Sequence, residues 1–240
     1  GIKMLSGPGC PVCVTDQGTV DMLIELACRD DIILTTYGDM IRVPGTETSL
    51  EKLHRSDIRV VLSSDDALHA AGRHPDKTVV FAAVGFETTA PATAAALQRA
   101  MEEEIDNFCI LIAHKLVVPA MAALLAGRND RIDAFLCPGH VSVIIGSDAY
   151  LPLAEKFKRP CVVAGFEPLQ IIDGIASVCG QLVEGRPRVE SVYRAAVGPR
   201  GNAVAMELIE RFFEPCDGPW RGLGVIEKGS LRLREEFGKF

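Results

Sequence analysis

Short apolar runs rich in β-branched residues recur along this chain, at Ile2–Leu5, Ile32–Thr36, Ile58–Leu62, Val79–Val84, Phe108–Ile112, Ile132–Leu136 and Cys161–Ala164. Between them lie stretches with helical spacing, among them Val20–Cys28, Thr93–Glu104, Ala120–Gly127 and Leu169–Leu182. A strand that is apolar throughout needs cover on both faces, and an intervening helix gives that cover while returning the chain to a parallel neighbour. The strand ends run into Gly, Pro, Thr or Asp, residues suited to βα loops and helix N-caps. The expected class is therefore α/β with parallel sheets. In open sheets of this kind ligands gather at the carboxyl ends of the strands.

A weak internal repeat refines that expectation. Ile32–Thr36 is followed by Val43-Pro44 and Phe108–Ile112 by Val118-Pro119, an offset of 75. Ile58–Leu62 matches Ile132–Leu136 at about the same offset. Val79–Val84 leads into Gly85-Phe86-Glu87 and Cys161–Ala164 into Gly165-Phe166-Glu167, an offset of 80. All βα units share some likeness, which is the plainer explanation. The sharper one is two similar, Rossmann-like parallel-sheet halves facing each other across a cleft, with a partial C-terminal extension. On that reading residues 1–76 form the first half with the CPVC loop, 77–185 the second, and 186–240 the extension. His74-Pro75-Asp76 breaks the pattern at the boundary. Helices are expected around Val189–Val197 and Ala203–Phe213, followed by a Pro/Gly-rich turn at Pro215–Gly224.

Composition narrows the function classes. With 48% hydrophobic and 24% charged residues in 240, the chain can build a large core and is not disordered. The longest stretch without Asp, Glu, Lys or Arg, Ala134–Ser147, has 14 residues. That is short of the roughly 18–20 apolar residues that span a bilayer. A net charge of −7 with 6% aromatics lacks the basic face and stacking platform of a typical nucleic-acid binder. Of the 8 cysteines, Cys28, Cys109, Cys137, Cys161, Cys179 and Cys216 stand alone, and Cys10 and Cys13 form a pair. No export signal opens the chain, so a reducing, cytoplasmic compartment is expected. There a lone CxxC points to redox or metal chemistry more than to a structural staple.

That pair lies in Ser6-Gly7-Pro8-Gly9-Cys10-Pro11-Val12-Cys13-Val14-Thr15, after a short strand and before an amphipathic helix. Two thiols three residues apart at a helix start can close a small disulfide ring or bind one metal. Helix N-terminal N–H groups stabilise a thiolate, which makes it a better nucleophile and ligand. Pro11 stiffens the loop, and the glycines allow close approach of the backbone. The same pattern would also suit two buried small hydrophobes in a tight turn. A dinucleotide fingerprint is excluded: Val12 stands where Gly7-x-Gly9 would need its third glycine, and no GxxxxGK[ST] occurs.

Two further loops hold candidate residues. Cys137-Pro138-Gly139-His140 would complete, with Cys10 and Cys13, a Cys3His set of zinc-like ligand types. By itself Cys137 reads as the buried end of a strand, while His140 lies beyond that end. Gly85-Phe86-Glu87-Thr88-Thr89 and its echo at Gly165-Phe166-Glu167 each put a carboxylate directly after an apolar strand, where burial is costly without a partner. Glu87 suits a structural or a functional role, and Glu167 leans to the structural one. Thr88 and Thr89 suit helix caps as well as ligand contacts. His54, His69, His74 and His114 fall on helices or turns and read as solvated or locally bonded.

Five motifs taken in order, SGPGCPVCVT (Ser6–Thr15), GFETTAP (Gly85–Pro91), CPGHVSVIIG (Cys137–Gly146), VVAGFEP (Val162–Pro168) and WRGLG (Trp220–Gly224), resemble the HypD family of hydrogenase maturation proteins along essentially the whole chain. The resemblance implies an assembly factor for nickel–iron hydrogenases that builds the Fe(CN)2CO unit with the small chaperone HypC and the cyanide donor HypE. It implies α/β domains around a cleft, plus a cysteine-rich domain holding a 4Fe–4S cluster. Cys10 and Cys13 match the family's paired cysteines, associated with iron binding and thiol redox chemistry. Glu87, Thr88 and His140 would line the cleft. Two family features are missing: an N-terminal CGTH motif and a C-terminal cysteine cluster. Both absences read as a truncated copy without the ligands of the 4Fe–4S cluster.

The leading expectation is thus a scaffold and redox factor in which Cys10 and Cys13 ligate iron or donate two electrons by closing a disulfide. The alternatives are a structural zinc protein using Cys10, Cys13, Cys137 and His140, and a general thiol–disulfide oxidoreductase.

Overall fold

The computed structural model describes residues 1–127 and 131–240. In chain order the first stretch folds as α1 (Pro11–Val14), α2 (Gln17–Ala27), β1 (Ile32–Thr36), β2 (Ile58–Val60), α3 (Ser64–Arg73), β3 (Thr78–Gly85), α4 (Ala90–Glu102) and β4 (Phe108–His114). Next come α5 (Val117–Ala126), β5 (Phe135–Pro138), α6 (Gly139–Ile145), α7 (Leu151–Phe157), β6 (Cys161–Ala164), α8 (Pro168–Glu184) and β7 (Val189–Ser191). The chain closes with α9 (Ala203–Phe212) and the strands β8 (Phe213–Trp220) and β9 (Gly224–Leu233).

The chain divides into two compact units, Gly1–Lys115 together with Leu208–Phe240, and Leu116–Glu207. In the first, a parallel sheet runs in the order β2-β1-β3-β4, with Leu34 level with Ile58 on one side and Val80 on the other. β1 is buried at every position and β3 from Val79 onward, which is why neither alternates apolar with polar; the buried Thr35 of β1 donates its hydroxyl to Val80 O at 3.0 Å. Helix α2 lays Val20, Leu23 and Ala27 against Ile32, Leu34, Met40 and Leu50. In the second unit a parallel sheet runs β5-β6-β7, with Cys137, Cys161, Val163, Tyr150 and Leu153 in its core. β8 and β9 form an antiparallel hairpin belonging to the first unit, with a register shift between Cys216 and Gly218.

Helix α3 begins with a reciprocal cap. The Ser63 hydroxyl accepts the Asp66 N–H at 3.1 Å, and the Asp66 carboxylate accepts the Ser63 N–H at 3.0 Å. Ser63→Ala is expected to lower stability by about 1 kcal/mol in urea unfolding. A change below the resolution of that measurement would assign the cap no role.

The parallel α/β class holds, and four details depart from the sequence reading. The boundary expected near residue 76 is not where the chain divides: β3 hydrogen-bonds to both β1 and β4, so residues 77–115 complete the first sheet. The offset of 75 accordingly relates β1 to β4 within one sheet and β2 to β5 in different units, and the offset of 80 relates β3 to β6, also in different units. Ile2–Leu5 is not a strand; no neighbour pairs with it, and Ile2, Met4 and Leu5 are exposed. Val189–Val197 is not a helix, because Val189–Ser191 pairs with β6 as an edge strand. Pro215–Gly224 is largely strand rather than turn. A two-stranded ribbon leaves one edge of β8 without a partner, so Pro215 and Pro219 cost it no interior hydrogen bond. The turn itself is Arg221–Leu223, with Gly222 within it at φ 82° and Gly224 directly after it at φ 78°, backbone that favours glycine.

Candidate thiol redox site

Cys10 is the N-cap of α1, with extended backbone, and its Sγ accepts the Cys13 N–H at 3.2 Å. The two cysteines are joined as a disulfide with their Cα atoms 5.3 Å apart. Pro11 occupies the first helical position, where it has no N–H to leave unsatisfied and its φ is preset. One turn later the Thr15 hydroxyl donates to Pro11 O at 2.9 Å, and Asp16 caps α2 by accepting the Thr19 N–H at 3.0 Å and the Thr19 hydroxyl at 2.6 Å. The disulfide thus lies at the N-terminus of one short helix, directly before a second helix. Cys13 is exposed, Cys10 is half-buried, and Val14 and Thr15 are buried. Cys13 is therefore the more exposed of the two cysteines, and attack by an incoming thiolate depends on such access.

One backbone hydrogen bond ties this loop to the hairpin, and that hairpin is itself held by Trp220 and Lys115. The hairpin turn donates Arg221 N–H to Val14 O at 2.9 Å. Trp220, 2% exposed, donates Nε1–H to Gly229 O at 2.9 Å and stacks on Phe86 at 6.0 Å between ring centroids. At the end of β4, Lys115 donates its backbone N–H to Gly85 O at 2.9 Å and its ammonium to Pro219 O at 2.8 Å.

Phe86 leads into the second predicted loop. Glu87 is buried directly after β3, whereas Thr88 is exposed. Thr89 occupies the N-cap position of α4, but its hydroxyl turns back to Phe86 O at 3.2 Å rather than capping the helix. Beneath it, His114 ends β4 with its Nε2 3.0 Å from the Thr93 hydroxyl. Burial drives its imidazole pKa down to about 4, so the ring is neutral at pH 7. The sequence reading placed His114 among locally bonded residues of helices and turns. It is instead a fully buried strand residue, and the apolar run before it was the signal.

In the second unit Cys137 is buried at the end of β5, and burial beside the Cys161 thiol raises its pKa well above the ordinary thiol value. His140 is exposed in the first turn of α6, its ring 4.1 Å from that of Phe166. Gly139 passes so near β6 that an added Cβ would stand 2.5 Å from Ala164 O. Glu167 is the N-cap of α8 in a reciprocal cap: its N–H donates to Gln170 Oε1 at 3.4 Å and its side chain accepts the Gln170 N–H, which is a structural role.

Cys10, Cys13, Glu87 and Thr88 therefore belong to the first unit, and Cys137 and His140 to the second. Among the described residues no three His, Cys, Asp or Glu side chains gather into a metal site. The four residues of the expected zinc set are thus divided between the two units. Lys115 was missed by sequence reasoning. It stands directly after β4 as Glu87 does after β3, the strand-end position that marks candidate residues in a parallel sheet. Among the described residues no helix is long and apolar enough to cross a membrane.

Comparison with known proteins accounts for these loops. A family model, HypD, described as "Hydrogenase formation hypA family", matches residues 1–240. A protein of Methanocaldococcus jannaschii named putative hydrogenase expression/formation protein is 45% identical over 241 residues, covering 100% of this chain and 67% of the relative. The hydrogenase maturation factor HypD of Escherichia coli is 42% identical over 244 residues, and that of Azotobacter vinelandii 43% over 248; each match covers 100% of this chain and 65% of the relative. The chain thus spans about two thirds of the length of these relatives. With the family model matched from end to end and its cysteine loop placed at paired helix starts, the chain belongs to the HypD family.

Proposed function

We propose that this chain works in hydrogenase maturation as a scaffold and thiol redox protein, Cys10 and Cys13 alternating between disulfide and dithiol while the Fe(CN)2CO group is assembled. The observation that carries the reading is the Cys10–Cys13 disulfide at a helix start, with Cys13 an exposed residue, on a loop tied to the rest of the first unit. The names of the relatives support the process, and the placement of the thiols supports the chemistry.

Closing the disulfide releases two electrons and two protons, which reductive attachment of cyanide or carbon monoxide to the substrate iron would consume. Opened, the pair offers two soft thiolates to that iron, and the N-termini of α1 and α2 favour their charged form. Glu87 and Thr88 stand after β3, where ligands gather in parallel sheets, and are the first unit's candidates for holding the substrate. His140 is the second unit's candidate. On this reading the partners are the chaperone HypC and the cyanide donor HypE, and the compartment is the cytoplasm. No step is assigned to a 4Fe–4S cluster.

Replacing Cys10 or Cys13 by Ala in the full-length parent protein is expected to reduce hydrogenase activity in a complemented deletion strain to background. Normal activity from both variants would refute the proposal. General disulfide exchange would appear as turnover of insulin disulfides, and none is expected.

A further inference from the structure

Lys115 has a side chain that is 3% exposed, and a buried ammonium is costly unless it is paired and hydrogen-bonded. Its Nζ donates to Pro219 O at 2.8 Å, lies 3.4 Å from the Ser230 hydroxyl, and stands 3.9 Å from Asp16 Oδ2. Other ionisable groups that interact with it are the Cys216 thiol of β8 and the buried His114 imidazole that precedes it. Asp16 caps α2 and follows Cys13 by three residues. One side chain thus joins the end of β4, the hairpin and the helix start that follows the CPVC loop.

We propose that Lys115 is a positioning residue for the Cys10–Cys13 pair: its ammonium offsets the Asp16 carboxylate, three residues after Cys13, and holds the hairpin through Pro219 O, and so biases the pair toward the dithiol. The inference rests on the proposed redox role of the two cysteines. Reduction by an external dithiol such as dithiothreitol breaks the Cys10–Cys13 bond, forms the cyclic disulfide of the reagent, and passes two electrons and two protons to the cysteines. Thiolate character that develops there is disfavoured by an uncompensated carboxylate nearby and favoured by a cation.

The test is the thiol–disulfide equilibrium of the full chain in dithiothreitol and glutathione redox buffers, read by alkylation, with thermal unfolding measured beside it. Lys115→Met keeps the apolar stem and removes the charge. It is expected to shift the equilibrium about tenfold toward the disulfide, a potential lower by about 30 mV. Lys115→Arg is expected to restore most of that shift. Asp16→Asn, which keeps a capping side chain, is expected to move the equilibrium the other way. A merely structural lysine would change the melting temperature and leave the equilibrium where it is. Folded Lys115→Met with the wild-type equilibrium overturns the proposal. If Lys115→Met does not fold, Asp16→Asn decides, since no shift or a shift toward the disulfide overturns it equally. A wild-type chain that does not cycle in either buffer defeats the redox reading itself, an outcome distinct from a cycling wild type with unmoved variants.

Discussion

Truncating Trp220 to alanine is expected to cost about 3–5 kcal/mol of stability, the range for emptying a large aromatic site. The indole is 2% exposed, lies 6.0 Å from the Phe86 ring, and satisfies Gly229 O through Nε1. Its loss opens a cavity between the hairpin and the Gly85-Phe86-Glu87 loop and removes the support for Arg221, whose N–H holds Val14 O. Trp220→Phe refills part of that space and leaves Gly229 O without its donor, so about 1 kcal/mol of additional loss is expected beyond the smaller volume. Urea unfolding checks both, provided the slope with denaturant is unchanged. A cost below about 1 kcal/mol for Trp220→Ala would show that the hairpin is not anchored by this ring.

Acid is expected to weaken the first unit through His114. Its folded pKa is about 4 against an ordinary 6.5, because burial disfavours the imidazolium. Between those values the unfolded chain binds the proton and the folded chain does not. Stability is therefore fully present above about pH 6.5 and is lost as the pH falls toward 4. A separation of about 2.5 pH units corresponds to roughly 3 kcal/mol. His114→Leu removes the proton site while the Thr93 hydroxyl retains Thr89 O at 3.3 Å, so the variant is expected to lose that part of the slope. Unfolding free energies at pH 7, 5.5 and 4.5 make the comparison. Equal slopes for the two proteins would assign the acid sensitivity elsewhere.

Most of the framework was legible because the strands that matter are buried on both faces. Ile32–Thr36, Val79–Val84 and Cys161–Ala164 are buried at every position and apolar but for Thr35 and Thr36, and such runs leave a plain mark in the sequence. Short edge elements leave a weaker mark. Val189–Ser191 alternates too briefly to show a period, and β8 contains two prolines and a glycine that are harmless only because its partner lies on one side. The division between units was illegible for a different reason: which sheet receives a strand depends on long-range pairing, and Phe108–His114 looks the same in either. The cysteine loop was legible as a motif. Its support was not, because Arg221 reaches Val14 across 207 residues, from a hairpin held by Trp220 and Lys115. A sequence shows the residue that does the chemistry more readily than the distant ones that hold it.

The first unit is discontinuous, with residues 116–207 placed between its sheet and its hairpin. Synthesis on the ribosome therefore exposes the thiol pair long before its clamp exists. Val14 and Arg221 are separated by 207 residues, roughly 10–40 s of translation at 5–20 residues per second. During that interval Cys10 and Cys13 are held by a sheet but not by the hairpin turn, and the second unit has time to fold alone. Premature oxidation of the nascent chain, or its capture by another thiol, then depends on the speed of translation as well as on the finished structure.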